Sequence, residues 1–185
     1  SKGTTMKTTS QFAFIAIAGV LLAACGKTAD PNIQSHKPTA DSAVTAPMGK
    51  HTELPILTVY KDPNCDCCGK WIDHMNQAGF VTEAIVMDDL KPIKEKYGIK
   101  PDFRSCHTAV SKDGYVFEGH VPAKLVKQFL SQPRTDAIGL SVPAMVVGSP
   151  GMEMGEKFMP YQVLLLKKDG TSEVYAKINQ ASEQQ

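Results

Sequence analysis

The run Cys65-Asp66-Cys67-Cys68 constrains this chain more than any other feature. Three thiols within four residues do not make an ordinary disulfide framework, because a bridge between adjacent cysteines is strained. The run follows an apolar, β-branched segment, Ile56-Leu57-Thr58-Val59-Tyr60, and leads into a helical pattern starting near Gly69. Thiols at a helix N-terminus face free N–H groups and the positive end of the helix dipole, both of which favour the thiolate. A strand, a cysteine run and a helix in that order imply an α/β frame carrying either a redox centre or a soft metal site.

The 20 basic and 19 acidic side chains nearly cancel, which removes the usual electrostatic basis for nucleic-acid binding. An apolar content of 42% suffices for one ordinary core. Residues 1–25 are not expected to join that core. Met6 reads as the start, with 1–5 an upstream extension. Phe12 to Ala24 is a run of 13 apolar or small residues, short for a bilayer span and suited to a signal segment. Leu22-Ala23-Ala24-Cys25 resembles a bacterial lipobox, which implies lipidation of Cys25, and Gly26 after it favours the outer membrane. Residues 26–54, rich in Ala, Thr, Ser, Pro and Lys with no apolar period, read as a flexible linker. An exported protein can form disulfides, so Cys65, Cys67, Cys68 and Cys106 have three possible pairings.

The folded domain is expected over 55–180, with 181–185 a disordered tail. Strands are expected over 56–60, 82–87, 108–110, 115–118, 162–167 and 172–177. Helices are expected over 70–78, 90–97 and 122–130, from the apolar spacing and from Gly79 and Gly98 as stops. Lys112-Asp113-Gly114 and Asp169-Gly170 mark hairpins. Trp71 and Met75 read as core, His74 as a solvated helix residue, and Met87, Met145 and Met159 as packing. The sum is an α/β domain with a mixed sheet and a β-α-β opening.

Cys65-x-x-Cys68 after a strand and at a helix start is thioredoxin-like in placement. Val142-Pro143 before the apolar run Ala144 to Val147 agrees with a proline loop facing such a pair. Cys67 does not suit a plain dithiol enzyme, since a third thiol can scramble the pair, but it can bridge or chelate a metal. Further donors stand downstream: Cys106, His107, His120, and Met152 and Met154 in the loop Gly148 to Gly155. Thiolate and thioether together select Cu(I), with imidazole compatible. Zinc is the poorer match, having little use for thioether.

Several of these segments, in one order, resemble the CopG-type copper-resistance proteins of Gram-negative bacteria. They are Val59 to Cys68, Ser105-Cys106-His107-Thr108, Glu118 to Ala123, Val142-Pro143, and Gly148 to Glu153. Ala144-Met145-Val146 departs from the Gly-Met-Pro expected there. The resemblance implies a thioredoxin-like fold, copper held by cysteines in a site that admits a multinuclear thiolate-bridged cluster, and a periplasmic role in copper tolerance. Cys65, Cys67, Cys68, Cys106, His120 and Met152 are then the leading metal ligands, with His107 and Met154 after them. Copper ions are the expected partners, with periplasmic copper chaperones or efflux components as exchange partners. The rival expectation is a metal-independent thiol–disulfide oxidoreductase using Cys65 and Cys68, and an intermediate one couples that dithiol to Cu(II)/Cu(I). A purely structural disulfide scaffold is the weakest reading, because the domain can build its own core.

Overall fold

The computed structural model describes residues 55–185. The signal segment 1–25, the lipidation site Cys25 and the linker 26–54 lie outside the described residues. Strand β1 (Ile56–Lys61), helix α1 (Asp66–Gln77) and strand β2 (Val81–Val86) form the expected opening unit, with β1 and β2 parallel from Ile56↔Val81 to Lys61↔Val86. Helix α2 (Lys91–Lys96) follows, then the antiparallel hairpin of β3 (His107–Ser111) and β4 (Val116–Glu118). Helix α3 (Ala123–Ser131) precedes β5 (Ala137–Ser141), and β6 (Tyr161–Lys167) and β7 (Ser172–Ile178) close the sheet as a second hairpin. The order is β2-β1-β3-β4-β5-β6-β7. Among the described residues this is a mixed α/β domain in which the sheet dominates over the helices.

Strand alternation sends neighbouring residues to opposite faces, and the core divides accordingly. Ala109, Phe117 and Leu165 join Leu57, Val59, Trp71, Met75 and the α3 residues Leu125, Val126 and Phe129 in the main cluster. Their neighbours Val110, Val116 and Leu166 join Ile99 in a smaller cluster on the other face. In α1 the spacing Cys68, Trp71, Met75 puts all three on the buried side. Each large apolar side chain buried in this way contributes roughly 1.5–3 kcal/mol.

Three local expectations are corrected. The first helix begins at Asp66 rather than Lys70, so Cys67 and Cys68 lie inside its first turn. Strand β5 was not expected, because Gly139 interrupts a short apolar run. It pairs parallel with β4 and antiparallel with β6, and so joins the two hairpins into one sheet. Residues 181–185 are not a free tail: Ala181–Gln184 forms a 3-10 turn. Buried Gln184 accepts from Tyr161 Oη at 2.6 Å and donates from Nε2 to the Gly148 carbonyl at 2.9 Å. In the loop after Val142-Pro143, Ala144 is left-handed with φ 61°.

Ala144 occupies the position where the resemblance leads one to expect glycine. A left-handed conformation costs an L-residue about 1–2 kcal/mol, and the extra freedom of glycine in the unfolded chain returns about 0.4–1 kcal/mol of that. Ala144→Gly is therefore expected to stabilise by roughly 0.5–1 kcal/mol. Urea unfolding checks this as a raised midpoint at unchanged slope; a lowered midpoint contradicts it.

Candidate metal centre

The turn after β1 presents the first cysteine. Asn64 N–H donates to Asp62 Oδ1 at 2.7 Å, and Cys65 N–H donates to the Asp62 carbonyl at 3.2 Å. Cys65 is thereby held as the residue capping α1, with no side-chain cap of its own. Cys65 and Cys68 are disulfide-bonded in this structure, with Cα atoms 5.3 Å apart. Cys67 and Cys106 are free. Cys67 Sγ lies 3.6 Å from Cys65 Sγ. Cys68 Sγ lies 3.8 Å from the Cys106 carbonyl, a contact only, since a bridged sulfur carries no proton to donate.

The sulfurs of Cys65, Cys67, Cys68 and Cys106 all lie within 4.8 Å of one another. Cys106, His107 and His120 form a second such group, so Cys106 is the shared vertex. Its Sγ stands 3.3 Å from His107 Nδ1 and 3.1 Å from His120 Nε2. His120 Nδ1 donates to the Pro150 carbonyl at 2.7 Å, which leaves Nε2 with its lone pair towards the sulfur. A ligand imidazole oriented through its other nitrogen is the usual arrangement in metal sites. His107 Nε2 is a buried nitrogen without a hydrogen-bond partner, and the His107 ring packs 4.5 Å from that of Trp71. The Trp71 indole in turn donates to the Val121 carbonyl at 2.9 Å, tying the His120 loop to α1.

Two glycines permit this convergence. Gly119, with φ +70°, has Ser105 and the Val142 carbonyl where a Cβ would stand, at 2.5–2.6 Å. Gly151, with φ +86°, lies against α1, a Cβ there being 2.7 Å from Trp71 N and 2.8 Å from the Cys67 carbonyl. Any other residue at either position would push a donor-bearing loop away.

A third element holds the Cys106 loop from behind. Glu118, fully buried, receives Lys94 Nζ at 2.5 Å, the Thr108 hydroxyl at 2.6 Å and the Ser105 backbone N–H at 2.7 Å. Burial pushes the Glu118 carboxyl up, against the pull of Lys94. The Cys106 thiol is pushed up to about 12, first by burial and then by the negative charge of Cys67. Burial lowers His120, and lowers His107 well below the ordinary imidazole value. A metal ion would displace the thiol proton and meet imidazoles already neutral.

These lowered values predict an acid-sensitive fold. Unfolded histidines protonate near pH 6.5, so below that the unfolded chain binds more protons than the buried rings do. Stability present above pH 6.5 is lost as pH falls towards the lowered folded values, by up to about 1.4 kcal/mol per pH unit for each ring. Glu118 opposes this with a single group. Urea unfolding of the metal-free protein from about pH 7 to about pH 5.5 is expected to show the loss; a flat profile contradicts it.

The structure thus gathers Cys65, Cys67, Cys68, Cys106, His107 and His120. Met152 is half-buried in the adjoining loop, just beyond Gly151, and Met154 is exposed outside the buried donors. Val142-Pro143 lies beside Ser105, whose hydroxyl donates to the Ala144 carbonyl. His74 is not merely solvated: half-buried, its Nε2 accepts the Ala123 N–H at 3.0 Å and so satisfies the start of α3. Met145 and Met159 are exposed rather than packed. Lys94, Glu118 and the Pro150 carbonyl were not anticipated. A glutamate in the apolar strand Val116-Phe117-Glu118 was the available signal.

Fold and site together define a mixed α/β protein with a Cys/His cluster capable of holding a soft metal. The family model described as "Protein of unknown function, DUF411" matches residues 103–152. Two solved structures, "Copper resistance protein copG- Form 2" and "Form 1", are each 40% identical with a TM-score of 0.64. They cover 68% of this chain and 99% and 98% of their own. The chain belongs to this CopG-type copper-resistance family. No curated protein matches it.

Proposed function

We propose that this chain is a periplasm-facing copper-binding protein of copper resistance, anchored through lipidated Cys25, and that its domain is thioredoxin-like. The β-α-β opening, followed by a hairpin and α3, supports the fold reading. In the reduced protein, Cys65, Cys67, Cys68 and Cys106 hold Cu(I), with His120 and Met152 completing the site and His107 and Met154 as auxiliary donors. The observation that carries this is four sulfurs and two imidazoles converging on Cys106 within 4.8 Å in each group. Thiolates so close together can bridge ions, so the site takes more than one copper in a thiolate-bridged cluster. Periplasmic copper chaperones or efflux components are the exchange partners. Loading the reduced protein anaerobically with Cu(I) and Zn(II) tests this: copper should be retained above about one ion per chain and zinc displaced, by the softness of the donor set.

The Cys65–Cys68 bridge favours a second reading, a thiol–disulfide oxidoreductase in which half-buried Cys65 is attacked and Cys68 is the buried partner. It predicts oxidation of a dithiol substrate without copper, the two substrate thiols becoming a disulfide as the Cys65–Cys68 bridge is reduced. The intermediate form, in which the dithiol exchanges electrons with Cu(II)/Cu(I), requires both copper binding and bridge formation.

A further inference from the structure

Met145, Met154 and Met159 are 58%, 55% and 56% exposed, whereas Met75 is fully buried. They fall within one stretch of 15 residues, which also holds half-buried Met152. A thioether in water contributes little packing, so these positions lack the usual reason for methionine. Backbone hydrogen bonds tie parts of the stretch to one another. Met159 N–H donates to the Val147 carbonyl at 3.0 Å, and Gly148 N–H to the Met152 carbonyl at 2.9 Å. Met154 bridges to Lys157, two residues before Met159. Met145 is two residues from Val147, so their Cα atoms are at most about 7 Å apart. The same loop reaches the cysteine cluster, through the Pro150 carbonyl on His120 and Gly151 against the Cys67 carbonyl.

We infer that Met145, Met154 and Met159 form a thioether receiving site for Cu(I), from which the ion passes inward to the cysteine cluster. This rests on the copper reading of that cluster. Thioethers are soft donors that select Cu(I) and carry no proton to lose, so capture needs no deprotonation. They are neutral and bind more weakly than thiolates, so transfer inward runs downhill. Each step replaces one ligand by another on an ion of unchanged charge, and no electron moves. The donor is a carrier that itself holds Cu(I) through soft ligands. Met152, between the exposed thioethers and Cys67, is the handover position.

Two measurements on the full chain test this. The first uses Cys67→Ser/Cys106→Ser protein with Cys65–Cys68 bridged, which has no free thiol among the described residues. With [13C-methyl]methionine labelling and Ag(I) as the probe, the methyl signals of Met145, Met154 and Met159 should shift while those of Met75 and Met87 do not. The second follows Cu(I) transfer from its bicinchoninate complex into the reduced protein by stopped flow. Met145→Leu/Met159→Leu should load more slowly by about tenfold or more, the scale of a lost local concentration, with final copper content unchanged. Three unshifted methyl signals overturn the inference, as does wild-type loading speed in the double variant. Loss of copper from wild type itself would instead overturn the cluster reading, which the Ag(I) titration does not depend on.

Discussion

Cys67→Ser is expected to weaken Cu(I) retention by more than about 100-fold while leaving the fold intact. Loss of an outer hydrogen-bonding partner of a metal ligand already costs about 10–100-fold, and this change removes a sulfur proposed as a ligand. Cys67 stands 3.6 Å from Cys65 Sγ and belongs to the four-sulfur group, so it is placed to bridge. A serine oxygen is a hard donor and keeps its proton, so it cannot stand in. Cys67 is only half-buried in the first turn of α1, and the stability change should stay within about 1 kcal/mol. The variant also separates the two functional readings. Disulfide exchange by Cys65 and Cys68 does not need Cys67, so unchanged copper retention with unchanged disulfide exchange would support the oxidoreductase. Competition with a chromophoric Cu(I) chelator gives the affinity, and urea unfolding the stability.

The second large effect is expected behind the site. Glu118→Ala leaves Lys94 as an uncompensated buried charge, and breaking such a pair costs about 3–5 kcal/mol. It also orphans the Ser105 N–H, which Glu118 holds at 2.7 Å. Ser105 precedes Cys106, so the loop bearing the shared sulfur loses its anchor. Lys94→Met should cost a similar amount by leaving the carboxylate unpaired. The double change Lys94→Met/Glu118→Leu should cost clearly less than the sum of the singles, because neither charge remains. Urea unfolding of the four proteins measures this; strictly additive losses contradict a coupled pair.

These residues show how much of the molecule is legible in the sequence. Strands with alternating or β-branched apolar residues could be read from pattern alone, as could α3. The four cysteines and two histidines could be read from donor chemistry and from the family resemblance. Strand β5 could not, because its short run is broken by Gly139 and its support comes from β4 and β6, which are remote in sequence. Gln184 could not, because a polar chain end is fixed by two hydrogen bonds that only the folded chain supplies. The role of His74 was half legible: it lies three residues past Trp71, at the margin of the buried stripe, but its partner Ala123 is 49 residues away. The role of Glu118 could not be read, because Lys94, Thr108 and Ser105 surround it only in the folded chain. In each case the missing information is a tertiary partner.

Cys65, Cys67, Cys68 and Cys106 are proposed to act together as one copper site. Copper content and free-thiol count, measured on one anaerobic sample of reduced, Cu(I)-loaded full-length protein, test it most directly. A shared copper site should hold more than about one copper per chain, with the four domain thiols unreactive to alkylation until the metal is removed. Less than about one copper per chain, with those four thiols freely alkylated, would contradict it.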